Sequence, residues 1–337
     1  MRIIADVDTG IDDALALVAV AAHVDAELVG VTTTTGNTTS HLAARNSAAV
    51  LSLVGRDDVP VLVGSSKPLE VPVATTPETH GEFGLGYSTA PEAITGPFSE
   101  HGIEELWLPE LREHPGQTTL LVTGPLTNLA IALRAEPELP RLARRVVIMG
   151  GAFNYPGNTT PSAEWNAWCD PHAAAEVYAA FSGLEADRLP IVAGLNVTET
   201  VELTPADLDE LGIGAGARPP HLTARSARDV GPADTGVPLV NLVTDALRFY
   251  FEFHADHGYG YLAQVHDLLA AQIALGEVDP TMSPQWVGVE KESALTRGTT
   301  VADFRQLLHR PANARVVTAV DARASVEAFK ASVARLI

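Results

Sequence analysis

Four aspartates stand close together near the start of the chain, in a pattern suited to binding a cation. Asp6, Asp8, Asp12 and Asp13 belong to the run Asp-Val-Asp-Thr-Gly-Ile-Asp-Asp. Carboxylates this close repel one another, and some of them take up protons unless a cation is present. A ligand set made only of oxygen atoms suits a hard ion such as Ca²⁺ or Mg²⁺. The residue types therefore predict a cation site.

The order of residues in this run predicts a strand, a tight turn and a helix. Asp6 and Asp8 share the period of two of a strand, so both side chains can point to one side. Gly10 permits the turn, and Asp12 and Asp13 then fall in the first helical turn, where the helix dipole favours negative charge. The acidic cluster should thus lie at the carboxyl end of a strand, where open α/β sheets bind their ligands.

Two other interpretations of the acidic run remain open at this point. Haloacid-dehalogenase-type phosphatases carry Asp-x-Asp-x-Thr or Asp-x-Asp-x-Val after the first strand. Here Gly10 takes the fifth position and a second acidic pair follows at once, so that match is incomplete. The simplest structural alternative is a helix N-terminus with a solvated acidic first turn.

The elements that must position this cluster alternate between two kinds of segment. Short apolar strand candidates are separated by Ala- and Leu-rich helices. The strand candidates are Arg2–Ala5, Glu27–Thr33, Val59–Val63, Thr119–Val122, Arg145–Met149, Pro190–Ala193, Gln285–Val289 and Arg315–Val320. The helix candidates are Asp12–His23, Ser40–Leu53, Leu126–Arg134, Pro171–Phe181, Pro205–Leu211, Asn241–His254, Asp267–Ala274 and Arg323–Leu336. This alternation predicts an α/β fold with an open, mostly parallel, doubly wound sheet flanked by helices.

Two long stretches lack a regular pattern. Residues 65–97 contain Gly81, Gly84 and Gly86 with several prolines, and residues 212–238 are rich in Gly, Pro, Ala and Arg. Loops of this length in a compact domain are usually functional or mobile. Since neither stretch is followed by a change of composition, we expect one domain over residues 1–337 with lid-like insertions.

Composition limits the partners and the compartment. The 337 residues carry 22 Lys+Arg against 42 Asp+Glu, a formal net charge of −20. A surface this acidic repels phosphate backbones and anionic lipids, so we expect neither a nucleic-acid polymer nor a membrane as partner. Cys169 is the one cysteine, and the apolar run from Ala14 to Ala22 is too short to span a bilayer. These features predict a cytoplasmic protein.

Several further motifs appear in a fixed order and carry a family resemblance. Besides the acidic run, they are Gly36-Asn37, His80-Gly81-Glu82-Phe83-Gly84-Leu85, Thr123-Gly124-Pro125-Leu126-Thr127-Asn128, Met149-Gly150-Gly151, Gly157-Asn158, Glu164-Trp165-Asn166, His266-Asp267 and Thr296-Arg297-Gly298. Together they resemble the inosine-uridine-preferring nucleoside hydrolase family from about Arg2 to about Asp321. The departures are small: Trp165, Leu268 and Asn196 stand where phenylalanine, proline and aspartate are frequent.

The resemblance implies hydrolysis of the N-glycosidic bond of ribonucleosides, to ribose and a free base, with a tightly bound Ca²⁺. It implies that Asp8, Asp13, Asp267 and the backbone carbonyl of Thr123 bind this ion. Asp8 is also implied as the general base that activates a metal-bound water, and Asp6 as a residue that supports its neighbours. Three carboxylates and a carbonyl form an oxygen cage that agrees with this assignment.

The remaining site residues carried over by resemblance contact the substrate. Asp12 and Asn166 are implied as partners of the ribose 2′- and 3′-hydroxyls, and Asp267 would be shared between the ion and the 3′-hydroxyl. Asn158 and Glu164 are implied as 5′-hydroxyl partners, with Asn37 as a further ribose-side residue. Such a set recognises unmodified ribose, because a missing hydroxyl leaves buried polar groups unpaired. It has no basic cradle for a 5′-phosphate.

The base side of the site is less constrained by the sequence. His266 is the candidate general acid for the leaving base, with a pKa range suited to the task, and His80 should lie near the base or the ribose. Tyr259 and Tyr261 are possible base contacts. The resemblance implies that members specialised for purine nucleosides stack the base between tryptophans and lack the late histidine. Here His266 is present and the four tryptophans show no obvious stacking pair, which favours a pyrimidine or mixed base preference.

Two alternatives to hydrolysis of common nucleosides stay open. The same fold and mechanism could serve a modified riboside with another leaving group. A non-catalytic nucleoside- or ribose-binding protein with a structural Ca²⁺ is the other, although retention of Asp8 together with His266 argues against it. By resemblance, we expect a homodimer or a homotetramer.

Overall fold

The computed structural model describes residues 1–90, 98–224 and 231–337. Its strands are β1 (Arg2–Val7), β2 (Glu27–Thr33), β3 (Val61–Val63), β4 (Thr118–Val122), β5 (Arg145–Met149), β6 (Ile191–Ala193), β7 (Glu202–Leu203), β8 (Ala263–Gln264), β9 (Thr281–Gln285), β10 (Val287–Val289), β11 (Thr300–Ala302) and β12 (Ala314–Ala319). Its helices are α1 (Ile11–Ala22), α2 (Ser40–Leu53), α3 (Pro77–His80), α4 (Leu108–Glu113), α5 (Thr127–Ala135), α6 (Leu139–Leu142), α7 (Trp165–Cys169), α8 (Pro171–Ala180), α9 (Leu195–Thr198), α10 (Pro205–Gly214), α11 (Pro238–Asp256), α12 (His266–Leu275) and α13 (Ala322–Arg335). A π-helical turn, Ile103–Trp107, precedes α4.

An eight-stranded sheet forms the centre of the fold. Its strand order is β3-β2-β1-β4-β5-β6-β12-β9. The pairings are parallel except that of β12 with β9, which is antiparallel and lies at one edge. The prediction of an open, mostly parallel α/β sheet is confirmed.

The strand order reverses between β1 and β4. From β1 the chain proceeds outward through β2 and β3, and from β4 it proceeds the other way through β5 and β6. At such a switch point the connections leave toward opposite sides, so a crevice opens at the carboxyl ends of the two central strands. Asp8 follows β1 and Thr123 follows β4, so the sheet brings both residues to this crevice.

Both faces of the sheet are covered by apolar side chains. Successive residues of a strand point to opposite faces, and in β1 the buried Ile3 and Ala5 join one apolar cluster while Ile4 joins the other. The first cluster includes residues of α1, α11, α12 and α13, and the second includes residues of α4, α5 and α8. Burial on both faces explains why the strands read as continuous apolar runs rather than as alternating ones.

Two helices that carry site residues are buried on nearly every side. In α12 all ten residues from His266 to Leu275 are buried, and in α1 only Ala21 is partly exposed. The apolar run from Ala14 to Ala22 is therefore a core helix. Within the described residues, no helix has the length and apolar character needed to span a bilayer.

The predicted strand Gln285–Val289 is wrong. Gln285 ends β9, which pairs with β12 at the sheet edge, whereas Val287–Val289 forms β10 and pairs with β11 in a separate two-stranded sheet. The chain changes partner at Trp286, which lies between the two strands. An apolar run in the sequence does not show that its two halves pair with different strands.

Other boundaries differ by a few residues. Helix α11 begins three residues before the predicted Asn241, since Pro238 fits the first turn of a helix. Helix α10 continues beyond Leu211 to Gly214, inside the predicted loop 212–238. The predicted loop 65–97 contains the short helix α3, and its residues 91–97, like residues 225–230 of the second loop, lie outside the described part of the chain.

The central strands should dominate stability. Leu121, in the middle of β4, is 1% exposed, so Leu121→Ala should lower the free energy of unfolding by about 2–5 kcal/mol through lost burial and a residual cavity. Urea denaturation followed by circular dichroism measures this. Leu295→Ala is the matched control, since Leu295 is 81% exposed. Equal destabilisation by the two variants would contradict the placement of β4 in the core.

Candidate active site

A cavity of about 300 Å³ opens over the crevice between β1 and β4. Its lining combines carboxylates, amides, histidines and aromatic rings, and includes no Lys or Arg among the described residues. The predicted site residues that line it are Asp12, Asn37, His80, Thr123, Asn158, Glu164, Asn166, Tyr259, His266 and Asp267. Asp6, Asp8 and Asp13 are fully buried beside this lining.

Asp6 ties β1 to its two neighbouring strands. Its Oδ1 accepts hydrogen bonds from Thr32 Oγ1 at 2.5 Å and Asn128 Nδ2 at 2.8 Å, and its backbone oxygen accepts from Thr123 N at 2.8 Å. Trp107 Nε1 in turn donates to Thr32 Oγ1 at 3.0 Å. Asp6 therefore holds the Thr123 turn and the end of β2 in place.

One carboxylate oxygen of Asp8 accepts a hydrogen bond, and among the described residues the other has no partner. Its Oδ2 accepts from the backbone N–H of Asn37 at 2.6 Å. Its Oδ1 is buried and has no hydrogen-bond partner among the described residues. Gly36 lies so close that a Cβ there would be 2.1 Å from Asp8 Oδ2, so only glycine fits. A buried carboxylate oxygen without a partner is costly unless a proton or a cation meets it.

Three further carboxylates gather at the same place. Asp12, Asp13 and Asp267 each offer an oxygen within 4.8 Å of those of the other two. This trio contains Asp12, which we expected to contact only ribose, and does not contain Asp8, which we expected among the ligands. Asp8 is nonetheless close enough for the charges of Asp13 and Asp12 to raise its pKa.

Asp13 is fixed by hydrogen bonds from three directions. Its Oδ2 accepts from Gly10 N at 2.9 Å and from Asn37 Nδ2 at 3.1 Å, and its Oδ1 accepts from Thr123 Oγ1 at 2.7 Å. These partners come from the α1 turn, the segment after β2 and the end of β4. Asp13 thus joins the three segments that meet at the switch point.

Asp12 joins the N-terminal cluster to the N-terminus of α12. Its Oδ2 accepts from the backbone N–H groups of His266 at 3.1 Å and Asp267 at 3.4 Å. No side chain of α12 itself caps this end. The first N–H groups of a helix lack partners within it, so a carboxylate from α1 supplies them here. Residues more than 250 positions apart in the chain are brought together by this contact.

Burial and mutual repulsion raise the pKa of carboxylates in this cluster. Burial, with repulsion from Asp13, raises the pKa of Asp12 to about 7, and burial raises the pKa of Asp6 to about 7. Burial and the neighbouring carboxylates raise the pKa of Asp8 and of Asp267 well above the usual range. A hard cation would remove this repulsion and meet the free Asp8 Oδ1, so the donor set fits a metal ion.

One wall of the cavity carries amide and carboxylate groups. Asn166 Nδ2 donates to the carbonyl of Thr123 at 2.6 Å, which holds the amide against the end of β4. Glu164 is the N-cap of α7, and its carboxylate accepts from the backbone N–H groups of Gly151, Asn166 and Ala167. Asn158 Oδ1 accepts from Trp165 N at 3.0 Å, which places Asn158 at the exposed rim.

The opposite wall carries histidines that burial keeps neutral. His80 Nδ1 accepts from the backbone N–H of Ile11 at 3.1 Å, so the proton of its neutral ring is on Nε2. His266 Nδ1 is 2.8 Å from Thr198 Oγ1. Burial, then the charge of His254, lowers the pKa of His80 and of His266 to about 3. Burial therefore places the pKa of His266 below the range expected for it from the sequence.

Two expectations about aromatic residues are corrected. Tyr261 does not line the cavity, because its ring packs edge-on against Phe251 with centroids 5.2 Å apart. Tyr259 does line it. Trp165 and Trp168, for which the sequence showed no pairing, stack with centroids 5.6 Å apart and an interplanar angle of 20°. The Arg297 guanidinium lies over Trp168, 4.2 Å from the ring centroid. Trp165 is the member of the stack that lines the cavity.

Several residues of the lining were missed from the sequence. Four of them, Tyr250, Phe253, His254 and His257, lie along one face of α11 and its C-cap. Their spacing of i, i+3, i+4 and i+7 is the signal that could have found them, since aromatic rings repeat there at the helical period. Glu199 and Gln264 were missed as well, because neither belongs to a predicted element or to a motif.

Fold and site together define an α/β enzyme whose active site is built on a buried carboxylate cluster able to hold a metal ion. The family model for inosine-uridine preferring nucleoside hydrolases matches residues 3–327, and the chain belongs to this family. The expected resemblance and the expected enzyme class, a nucleoside hydrolase, are confirmed.

Relatives with assigned names agree with this placement. The chain is 36% identical over 328 residues to the pyrimidine-specific ribonucleoside hydrolase RihA of Salmonella paratyphi C, which covers 97% of this chain and 96% of the relative. Its counterpart in Citrobacter koseri is 34% identical over the same length and coverage.

Solved structures of nucleoside hydrolases share the fold. The plant enzyme PpNRh1 superposes with a TM-score of 0.81 at 26% identity, covering 98% of both chains. The purine-preferring ribonucleoside hydrolase of Gardnerella vaginalis gives a TM-score of 0.81 at 25% identity, covering 100% of this chain and 99% of the other.

A side chain at position 36 should displace the carboxylate of Asp8. Gly36→Ala should lower kcat/KM for ribonucleoside hydrolysis by roughly 100-fold, because the new Cβ forces the Asp8 carboxylate out of position. Release of reducing sugar measures this. Gly214→Ala, where a Cβ meets nothing within 4 Å, is the matched control and should keep full activity. Full activity in Gly36→Ala would show that the position of Asp8 is not critical.

Proposed function

We propose that this enzyme is a Ca²⁺-dependent hydrolase of pyrimidine ribonucleosides, which it cleaves to ribose and the free base. The observation that carries the proposal is the buried carboxylate cluster under a cavity of nucleoside size, with the unpartnered Asp8 Oδ1 beside it. A neutral, hydroxyl-rich substrate suits this cavity because its polar groups are mostly acceptors of hydrogen bonds.

Asp8, Asp13, Asp267 and the carbonyl of Thr123 would hold the Ca²⁺, and Asp12 lies close enough to contribute. Oxygen donors of this number and charge favour Ca²⁺, which accepts six to eight such ligands, over transition metals. When bound, the cation supplies positive charge that acidifies a water molecule and attracts vicinal hydroxyls. Asp6 does not contact the cavity and keeps its supporting role.

Asp8 would act as the general base. In the reaction, a water oxygen attacks the anomeric carbon, the bond from that carbon to the base nitrogen breaks, and the base leaves with the electron pair. Asp8 Oδ1, which carries no other hydrogen bond among the described residues, accepts the water proton. Asn37 N holds the other oxygen and so fixes the direction of the free one.

The ribose would lie against the amide wall. Asp12 and Asn166 accept and donate at the 2′- and 3′-hydroxyls, with Asp267 beside the 3′-hydroxyl. The buried Glu164 and Asn158 at the exposed rim would be the 5′-hydroxyl partners, and Asn37 completes the ribose side. Because the described lining has no Lys or Arg and Glu164 is a carboxylate, a 5′-phosphate would be repelled. The preferred substrates are therefore nucleosides, not nucleotides.

The base would lie between the histidines and the aromatic rim. A neutral His266 can stabilise the departing base by hydrogen bonding through the nitrogen that Thr198 does not engage, and His80 donates from Nε2. Tyr259 reaches the base from the rim. Pyrimidine preference is supported by the names of the bacterial relatives, at 36% and 34% identity over 97% of the chain.

Removal of the general base should abolish turnover while keeping the fold. Asp8→Asn should lower kcat for uridine hydrolysis by roughly 10³-fold or more, because the amide cannot accept the proton. Release of reducing sugar from uridine, cytidine, inosine, adenosine and 2′-deoxyuridine measures both the loss and the base ranking.

The exposed Asp57 gives the matched control, since Asp57→Asn makes the same chemical change on the surface. It should retain full activity on every substrate. Activity of Asp8→Asn close to that of the unmodified enzyme would contradict the role of Asp8. Hydrolysis of inosine but not of the pyrimidine ribonucleosides would contradict the base preference.

Binding of Ca²⁺ should also raise the free energy of unfolding. Ca²⁺ at 100 times its Kd should stabilise the unmodified protein by about 2.7 kcal/mol, and Asp267→Asn should reduce this gain. Without metal the variant should melt higher than the unmodified protein at pH 7. A carboxylate whose folded-state pKa is raised loses stabilising protonation as pH rises, and the amide has no such penalty.

Thermal denaturation with and without Ca²⁺ measures both effects. Asp57→Asn again serves as control and should respond to Ca²⁺ as the unmodified protein does. An equal Ca²⁺ response in Asp267→Asn would show that the ion binds elsewhere.

A further inference from the structure

One carboxylate of the cavity has no role in the reaction described above. Glu199 lines the cavity, directly after the short helix α9. The preceding residue, Thr198, is the hydrogen-bond partner of His266 Nδ1 at 2.8 Å. Glu199 is thus attached to the segment that positions His266, on the side of the cavity where the base would lie.

Among the described residues, one hydrogen bond orients the carboxylate of Glu199. Its Oε2 accepts from the hydroxyl of Tyr155 at 2.8 Å. Among the described residues its Oε1 accepts no side-chain or backbone hydrogen bond, and that atom is not sealed from solvent. Because Tyr155 donates to one oxygen, the other remains an acceptor available to a ligand in the cavity.

Glu199 stands near the rim of the cavity rather than its floor. It is half-buried, and its neighbour Tyr155 is 39% exposed. Tyr259, 53% exposed, is close enough to Tyr155 for their hydroxyls to interact electrostatically. A nucleoside with its ribose on the carboxylate cluster and its base beside His266 would point the far edge of the base toward this rim.

Pyrimidine bases differ at that far edge in hydrogen-bonding character. Cytosine carries an exocyclic amino group at position 4, which donates, whereas uracil carries a carbonyl oxygen there, which accepts. An ionised carboxylate accepts hydrogen bonds and cannot donate them. A carboxylate facing position 4 would therefore bind the amino group and repel the carbonyl oxygen.

We propose that Glu199 is a specificity-determining residue that favours cytidine over uridine by accepting a hydrogen bond from the 4-amino group. This inference rests on the proposed hydrolysis of pyrimidine ribonucleosides. Glu199 acts on base selection and takes no part in proton transfer to or from the reacting atoms. Tyr155 positions its carboxylate.

The test compares kcat/KM for cytidine and for uridine in four proteins. They are the unmodified enzyme, Glu199→Gln, Tyr155→Phe and Glu202→Gln. Glu202 is exposed and outside the cavity lining, so Glu202→Gln is the matched control. The readout is the cytidine-to-uridine ratio relative to that of the unmodified enzyme, because the intrinsic reactivities of the two substrates then cancel.

Glu199→Gln should lower this ratio by about tenfold or more, since a charge-assisted hydrogen bond to cytidine is lost and repulsion of uridine is relieved. Tyr155→Phe should lower it by a smaller factor, and Glu202→Gln should leave it unchanged. An unchanged ratio in Glu199→Gln, with uridine still hydrolysed, would overturn the inference and leave the proposed function intact. An equal loss on both substrates would assign Glu199 a purely structural role and would overturn it too.

A second measurement needs no protein variant. N4-methylcytidine retains one N–H donor at position 4, and N4,N4-dimethylcytidine has none. The unmodified enzyme should hydrolyse the dimethyl compound about tenfold less efficiently than the monomethyl one, and Glu199→Gln should show a smaller difference. The same difference in both proteins would overturn the inference. Absence of hydrolysis of every pyrimidine ribonucleoside would instead overturn the proposed function, and this inference with it.

Discussion

The repulsion among buried carboxylates at the end of β1 is the constraint that organises this molecule. Asp8, Asp12, Asp13 and Asp267 lie together and are at most 3% exposed, and burial raises the pKa of three of them. Hydrogen bonds from backbone N–H groups, from Thr123 and from Asn37 hold the carboxylates of Asp8, Asp12 and Asp13 in place. Folding therefore prepares a binding site for positive charge before any ligand arrives, and electrostatic preorganisation of this kind is what hydrolytic sites require.

The same contacts connect the carboxylate cluster to the His266 side of the cavity. Asp12 accepts from the N-terminus of α12, whose first two residues are His266 and Asp267. His266 in turn contacts Thr198, next to Glu199. Hydrogen bonds thus link the carboxylate cluster to His266 and Thr198, and the peptide chain continues from Thr198 to Glu199 at the rim of the cavity. Positions of the reacting groups relative to one another are fixed by the fold, because α1 and α12 are both core helices.

Much of the cluster could be predicted from the sequence because its residues are local. Asp6, Asp8, Gly10, Asp12 and Asp13 follow one strand, and strand and helix periods alone place them at the sheet edge. The face of α11 that lines the cavity could not be predicted in this way, because it depends on which helix packs over the crevice. The Trp165–Trp168 stack depends on the orientation of the short helix α7.

Local pattern also misjudged environments. The sequence suggested Tyr261 as a possible base contact, but its ring packs edge-on against Phe251 instead. It gave His266 an ordinary pKa, although burial beside other histidines lowers that pKa to about 3. Titration of Ca²⁺ into metal-free enzyme, with bound ion and ribose release from uridine followed together, tests the central claim most directly. Activity should be absent without metal and should return in proportion to one bound equivalent; full activity in the metal-free enzyme would contradict the account.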